Sequence, residues 1–152
     1  MKNKALFPGS FDPYTKGHEY ILNKSLEIFD EITIGIGVNS EKKYLFDMEK
    51  RLAHVTHLYS DHPNVQVQIY EGLTVTFCEE IKASHIVRGI RNSQDYEYEK
   101  SIAQMNKSLS GIETVFLLTK ESLSSINSSI VREIYKNQGD ISLFVTKPEI
   151  LV

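Results

Sequence analysis

The sequence of 152 residues has little cysteine, no long apolar run and no excess of positive charge. Its one cysteine, Cys78, excludes an intrachain disulfide and fits a reducing compartment. No apolar stretch reaches the roughly 20 residues that a membrane-spanning helix needs, and the first residues lack the apolar core of a signal peptide. We therefore expect a cytoplasmic protein that has no membrane partner.

The formal net charge is −3, with 17 Lys and Arg against 20 Asp and Glu. A dedicated nucleic-acid binder is normally basic, so this balance argues against nucleic acid as a partner, while a local basic pocket stays compatible with it.

Two familiar nucleotide motifs are also missing. Gly35-Ile36-Gly37-Val38 lies inside an apolar strand pattern without the third glycine of a dinucleotide site, and the Gly-Lys-Ser/Thr of a P-loop is absent.

Three histidines, His54, His57 and His62, lie close together in the sequence. The first two have a spacing that zinc can use on one helix, but no cysteine or carboxylate completes a ligand set. We expect all three to be surface histidines, and we predict no metal held by protein ligands.

Strand and helix patterns alternate along the chain. Apolar or alternating runs predict strands, and amphipathic runs predict helices between them. The strands are expected at about 5–7, 32–38, 65–69, 85–87 and 114–118, and the helices at about 19–29, 47–59, 73–82, 95–109 and 128–137. This order predicts an α/β fold with a doubly wound, five-stranded parallel sheet and one domain over residues 1–152. The pattern of residues 141–152 is unclear, and Pro148 argues against a long regular element there.

The stretch from Phe7 to His18 organises the other motifs. An apolar strand leads into Pro8-Gly9-Ser10, and Thr15-Lys16-Gly17-His18 opens an amphipathic helix. A strand, a glycine-containing turn and a helix N-terminus together aim backbone N–H groups at an anion. Thr15 is a candidate cap, and His18 is a candidate donor at the positive end of the helix. The alternative is an ordinary turn with a surface histidine, but the combination favours a phosphate site.

Further polar residues follow the carboxyl ends of the later predicted strands. Lys42 follows the second strand, Arg88 and Arg91 the fourth, and the serine-rich stretch 122–129 the fifth. In a doubly wound sheet these strand ends border one crevice. Cations and hydroxyl donors therefore converge on a predicted polyphosphate pocket.

Four motifs carry a resemblance to a known family. Gly-Ser-Phe-Asp-Pro followed by Thr-x-Gly-His resembles the signature of the nucleotidyltransferase superfamily, whose helix opens with His-x-Gly-His. Three further features are similar to those of the phosphopantetheine adenylyltransferase family. They are Arg88-Gly89-Ile90-Arg91, the acidic and aromatic run 95–99, and the threonine in place of the first histidine. Ile126-Asn127-Ser128-Ser129 resembles the superfamily's Ile-Ser-Ser-Ser/Thr, with asparagine replacing a serine; the exchange weakens a role for that side chain but not for the backbone amides.

This resemblance spans residues 4 to about 140 and implies an activity. Members transfer the adenylyl group of ATP to 4′-phosphopantetheine by direct in-line attack, without a covalent intermediate, giving dephospho-coenzyme A and pyrophosphate. It further implies Mg²⁺ with ATP, dephospho-coenzyme A or coenzyme A as a bound product or inhibitor, and a homohexamer. A sister transferase with another acceptor, such as nicotinate mononucleotide or glycerol phosphate, and a non-catalytic nucleotide or coenzyme A sensor are the alternatives.

The residues and the resemblance together predict three groups of site residues. The catalytic group is His18, Lys42 and Arg91. The ATP-binding group is Ser10, Phe11, His18, Gly89, Ile90, Arg91, Glu99, Leu123, Ser124, Ser125, Ile126, Asn127, Ser128 and Ser129. The acceptor-binding group is Ser10, Lys42, Thr74, Arg88 and Asn106. A polar turn and solvated helix faces are the plain alternatives for Lys42, Glu99 and Asn106.

Overall fold

The computed structural model describes residues 2–152. Its strands are β1 (Lys4–Gly9), β2 (Glu31–Val38), β3 (Val65–Glu71), β4 (His85–Ile90) and β5 (Glu113–Leu118), and its helices are α1 (Lys16–Ser25), α2 (Met48–Leu58), α3 (Thr74–Glu80), α4 (Ser93–Ser110) and α5 (Ser128–Lys136). Over residues 2–152 the strands pair in parallel as one five-stranded sheet in the order β3-β2-β1-β4-β5. The predicted α/β class and parallel sheet are confirmed.

Side chains of β1 alternate between the two faces of the sheet, as in any strand. Ala5 and Phe7 pack in a core cluster with residues of α1 and α2. Leu6 packs on the other face against Phe77 of α3. Helices therefore cover both faces, which is the predicted doubly wound arrangement.

The pairing of β1 with β4 is much shorter than its pairing with β2. It joins Ala5 to His85 and Leu6 to Ile86, whereas β1 and β2 pair along the whole of β1. Pro8 has no N–H to donate to a neighbouring strand, and it lies where β1 and β4 have already separated. The sheet thus opens at the carboxyl ends of β1 and β4, where the strand order reverses and ligand crevices of such sheets form.

The C-terminal segment 141–152, whose sequence pattern is unclear, docks on the helices. Ile141, Val145 and Leu151 are buried in a cluster that also contains Val131 of α5. A 3₁₀ turn runs from Pro148 to Ile150. The segment has no helical or strand periodicity, and its buried apolar side chains hold it on the helices.

Hydrogen bonds also tie this segment to α1 and α2. The Lys16 N–H donates to the Phe144 carbonyl (2.8 Å), and the Thr146 hydroxyl donates to Glu19 (2.7 Å). His54 Nε2 lies 2.7 Å from the Thr146 carbonyl. His57 and His62 are exposed as expected. The expectation of a surface position for His54 is wrong, because this side chain is fully buried at the place where the C-terminal segment docks.

The helix ends agree with the sequence in part. Thr15 caps α1 as predicted. At α5 the cap is Asn127, whose side chain accepts from the Ile130 N–H. The residue in the left-handed conformation after α5 is Gln138, with φ 64°. The next position requires glycine for space, because a Cβ on Gly139 would lie 2.5 Å from the Ile134 side chain. None of the helices in residues 2–152 is long and apolar enough to cross a membrane.

Candidate active site

Two cavities open side by side at the carboxyl edge of the sheet. The histidine cavity has a volume of about 190 Å³, and the lysine cavity has a volume of about 310 Å³. His18, Arg91 and the N-terminus of α5 line the first, and Ser10, Lys42 and Asn106 line the second. Arg88 and Glu99 line both cavities and form the wall between them.

Hydrogen bonds and aromatic contacts hold the His18 ring at the N-terminus of α1. The Thr15 N–H donates to His18 Nδ1 (2.9 Å), while Thr15 Oγ1 accepts from the His18 N–H. The ring stacks on Tyr14 at 5.2 Å between centroids and meets the edge of Phe11 at 5.0 Å. Since Nδ1 accepts a hydrogen bond, the proton of the neutral ring is on Nε2. His18 therefore has one N–H donor left for the cavity.

The surroundings of His18 keep its ring neutral. Burial and, to a smaller extent, the positive charges of Arg88 and Arg91 together lower the pKa of His18 from its ordinary value of 6.5 to about 3. At neutral pH the group is therefore a neutral hydrogen-bond donor. The same arginines make the cavity attractive to anions.

Arg88 is fixed before any ligand binds. Its Nε and Nη2 donate to the two carboxylate oxygens of Glu99, at 2.9 and 2.7 Å, and Nη1 donates to the Pro8 carbonyl. This bidentate pair orients the guanidinium plane, and about a third of the Arg88 side chain stays exposed to the cavities. Glu99 was predicted at the nucleotide; the structure places it on Arg88, at the border of both cavities.

Arg91 is oriented in the same way in the histidine cavity. Its Nε and Nη2 donate to Asp95 at 2.9 and 3.1 Å, and Nη1 lies 3.4 Å from the Ile126 carbonyl. About a third of the Arg91 side chain is exposed. The contact with Ile126 brings this arginine next to the N-terminus of α5.

The N-terminus of α5 completes the histidine cavity. Asn127 caps the helix, and the Ser128 hydroxyl donates to the Pro13 carbonyl (2.9 Å). Within residues 2–152 the backbone N–H groups of Ser128 and Ser129 make no hydrogen bond, as at most helix starts. Free N–H groups at the positive end of a helix bind anions, so this edge suits phosphate oxygens.

All five residues predicted for the acceptor line the lysine cavity: Ser10, Lys42, Thr74, Arg88 and Asn106. Lys42 Nζ donates to Ser10 Oγ (3.2 Å), so the turns after β1 and β2 meet at this point. The Thr74 hydroxyl lies 3.0 Å from the hydroxyl of Tyr70. Val38, Ile102 and Ala103 add an apolar part to the same cavity.

The predicted ATP group is divided by the structure. His18, Gly89, Arg91, Glu99, Leu123, Ile126, Asn127 and Ser128 line the histidine cavity. Ser10 lines the lysine cavity. Phe11 and Ile90 are buried in the core, and Ser124, Ser125 and Ser129 lie outside both linings.

Two glycines of the predicted motifs are needed for packing. A Cβ on Gly89 would lie 2.7 Å from Ile21 of α1, and a Cβ on Gly9 would lie 2.9 Å from the ring of Phe11. Gly89 also lines the histidine cavity, and Gly9 also lines the lysine cavity.

Two residues that shape the site lie within motifs named above, but no role was predicted for them from the sequence. Asp95 orients Arg91, and Asp12 accepts from the N–H groups of Leu45 and Phe46, at 2.8 and 2.9 Å. The spacing of four between Arg91 and Asp95 could have been read as a helical ion pair. The contacts of Asp12 join residues distant in sequence, and no local pattern reveals them.

The donor set of the site does not form a protein cage for a cation. No group of three or more His, Cys, Asp or Glu in residues 2–152 is placed to hold a metal ion. The carboxylates of the cavities, Asp95 and Glu99, are both engaged with arginines. These residues suit a metal that arrives on nucleotide phosphates, since Mg²⁺ commonly takes substrate oxygens as ligands.

The fold and the basic cleft define a class of protein. The family model Cytidylyltransferase-like matches residues 6–134, and the chain belongs to this class of nucleotidyltransferases. A solved structure of a putative nicotinate-nucleotide adenylyltransferase from Vibrio parahaemolyticus is similar in fold, with a TM-score of 0.68 over 99% of this chain and 96% of that one at 21% identity.

Sequence relatives narrow the class to one family. A phosphopantetheine adenylyltransferase of Flavobacterium psychrophilum is 53% identical over 93% of this chain and 94% of its own length. One of Bacteroides thetaiotaomicron is 46% identical over 93% and 94%. The chain belongs to the phosphopantetheine adenylyltransferase family.

Proposed function

We propose that this chain transfers the adenylyl group of ATP to 4′-phosphopantetheine, giving dephospho-coenzyme A and pyrophosphate in the penultimate step of coenzyme A synthesis. The observation that carries the proposal is the arginine wall: Arg88, fixed by Glu99, faces two adjoining cavities that both have cationic linings. Such a wall lets one guanidinium touch the phosphates of two substrates. The names of the curated relatives support the identity of those substrates.

The two cavities differ in a way that assigns the substrates. The histidine cavity combines Arg91, the His18 donor and the N-terminus of α5, which suits the phosphates of ATP. The lysine cavity is the larger one and combines Lys42 with apolar and amide side chains. That combination suits an acceptor with one phosphate and a long arm of methylenes and amides, with Asn106 available to an amide of the arm.

The chemistry needs alignment more than it needs a nucleophilic side chain. The acceptor phosphate is already ionised at neutral pH, and one of its oxygens attacks the α-phosphorus of ATP directly. A new P–O bond forms as the bond from the α-phosphorus to the β-phosphate oxygen breaks, and pyrophosphate leaves. Catalysis then rests on positioning and on stabilising the charge of the transition state.

The side chains of the site divide this work. The Nε2–H of His18 donates to an α-phosphate oxygen, and Lys42 and Arg88 hold the acceptor phosphate with Ser10 between the two substrates. Arg91 and the free amides of α5 bind the β- and γ-phosphates, which become the leaving group.

Further parts of the proposal follow from the family. Mg²⁺ accompanies ATP and supplies charge neutralisation on the phosphates. Dephospho-coenzyme A or coenzyme A binds as product or inhibitor across both cavities. Residues 1–152 act as one domain of a cytoplasmic homohexamer.

The decisive experiment measures pyrophosphate release from ATP and Mg²⁺ with three acceptors: 4′-phosphopantetheine, nicotinate mononucleotide and glycerol phosphate. We expect release with the first alone, together with formation of dephospho-coenzyme A. Release with either of the others would identify a sister transferase. Binding of ATP or coenzyme A by calorimetry without any turnover would identify a sensor.

A further inference from the structure

We propose that Arg51 is a positioning residue for the acceptor: its buried guanidinium holds together the two loops that carry Ser10 and Lys42. The inference rests on the proposed function, because it assigns the lysine cavity to the acceptor. Arg51 lies in the first turns of α2 and contacts neither cavity lining except through Ser10 and Tyr44.

The guanidinium joins two stretches that are far apart in the sequence. Its Nη1 donates to the Ser10 carbonyl (2.7 Å), and its Nε donates to the Phe46 carbonyl (2.8 Å). Ser10 follows β1, and Phe46 ends the turn that follows β2. Arg51 is 2% exposed, so these contacts are shielded from water.

The aromatic ring of Tyr44 extends this contact to Lys42. The guanidinium carbon of Arg51 lies 4.0 Å from the centroid of the Tyr44 ring, and Lys42 Nζ lies 5.5 Å from the same centroid. Lys42 Nζ then donates to Ser10 Oγ. The contacts close a ring in which Ser10 is held by its carbonyl on one side and by its hydroxyl on the other.

The environment of Arg51 indicates that this residue positions the two loops through hydrogen bonds and stacking. Within residues 2–152 no carboxylate lies within 4.0 Å of its nitrogens. Burial lowers the pKa of Arg51 more than the more distant charges of Asp12 and Asp47 raise it, so the cost of burying the charge is offset only in part. A planar guanidinium can donate to two carbonyls and stack on a ring at the same time. A lysine keeps the charge but offers no such fork.

The Lys42 side chain depends on this support more than the histidine cavity does. Lys42 is exposed on a polar turn, and its chain is long and flexible. His18 and Arg91 are instead held by Thr15 and Asp95, which do not contact Arg51. Loss of the Arg51 contacts should therefore weaken the acceptor and spare ATP.

The test compares Arg51→Lys with Val55→Ala, a matched variant on the same helix. Val55 is fully buried in the main core and takes part in none of the hydrogen bonds that join the two loops, so its truncation reports the effect of lost stability. Calorimetry with 4′-phosphopantetheine and with ATP, steady-state kinetics and thermal unfolding are measured for both variants. We expect Arg51→Lys to weaken 4′-phosphopantetheine at least tenfold and to change ATP binding less than twofold. Val55→Ala should lower Tm and leave both affinities within twofold of wild type.

A double-mutant cycle shows whether Arg51 acts through Lys42. In a Lys42→Met background, Arg51→Lys should cost little further acceptor affinity, because the group that it positions is gone. Independent, multiplicative losses would overturn the proposal, as would equal losses of ATP and acceptor affinity. If Arg51→Lys does not fold, Tyr44→Leu removes the stacking partner and must show the same selective loss for the inference to stand.

The binding arm separates this inference from the proposed function. A wild-type protein that binds 4′-phosphopantetheine and ATP but releases no pyrophosphate would refute the activity and leave the Arg51 comparison valid. A wild-type protein that does not bind 4′-phosphopantetheine would refute both.

Discussion

Replacing His18 tests whether the site works through a neutral hydrogen-bond donor. We consider His18→Ala, which removes the donor, and His18→Gln, which keeps a neutral N–H group on a flexible chain. In the structure Nδ1 is engaged by the Thr15 N–H, so Nε2–H is the group that the substitution takes from the cavity. The effect is that of losing one preorganised donor.

The magnitude follows from this count of donors. Removal of one donor to a developing negative charge lowers kcat by about 10²–10³, or roughly 2.7–4 kcal/mol of transition-state stabilisation. The affinity for ATP should change by no more than about threefold, because the contact strengthens only in the transition state. His18→Gln should recover part of the loss, since an amide supplies the same kind of donor.

The protonation state of His18 adds a second readout. Burial and the two arginines hold the pKa of His18 at about 3, below the unfolded value of 6.5. The unfolded chain therefore binds more protons between these values, and the folded state loses stability as the pH falls through this window. The loss approaches about 1.4 kcal/mol per pH unit for this group, and it should be absent from His18→Gln.

Steady-state pyrophosphate release at pH 6 to 8 measures the first effect, and denaturant unfolding of wild type and His18→Gln from pH 7.5 to 5 measures the second. The pH–rate profiles of wild type and His18→Gln should have the same shape around pH 6.5, because His18 does not change its protonation state there. Turnover of His18→Ala within fivefold of wild type would refute the role of His18. A fall in rate below pH 6.5 that depends on His18 would show that the ring titrates at its ordinary pKa, and a fall above pH 6.5 would show that the working form is charged.

Two further predictions concern the cations of the cavities. Lys42→Met should weaken 4′-phosphopantetheine while ATP binds as before, because Lys42 lines the lysine cavity and not the histidine cavity; calorimetry with both ligands decides this, and a loss confined to ATP would reverse the assignment. Arg91→Lys should raise KM for ATP and, in the reverse reaction, for pyrophosphate. Arg88→Lys should instead raise KM chiefly for 4′-phosphopantetheine. Each rise should correspond to a loss of about 1.5–3 kcal/mol of binding free energy. Kinetics in both directions would show it, and indistinguishable profiles would mean that the two arginines act as one patch.

The sheet and its helices were predictable because their signals are local. The apolar run 32–38 becomes β2, and the capping residue Thr15 begins α1 as expected. The C-terminal segment was not predictable, since its bonds to Glu19 and His54 come from the hydroxyl and the backbone carbonyl of one residue, Thr146, which no periodicity marks. The same segment explains why His54 is buried, a fact that its own helix pattern does not reveal.

The site was predictable to the extent that strand ends converge. Lys42, Arg88 and His18 were placed at one edge of the sheet by that rule, and the structure places them there. The groups that hold them are a different matter. Asp12 accepts from backbone N–H groups and Arg51 donates to backbone carbonyls of other loops, and backbone partners leave no mark in a sequence.

The arrangement of Arg88 shows how one feature serves both affinity and chemistry. Glu99 neutralises part of its charge, and the bidentate contact fixes its plane before a substrate arrives. The remaining field still depresses the pKa of His18, so the site without ligand keeps a neutral ring beside two cations. In the proposed reaction, bound phosphates would oppose that field and accept from Nε2, and this hydrogen bond would strengthen as negative charge accumulates on them. Preorganised cations and a donor that responds to bound anion are what a transfer between two phosphates requires.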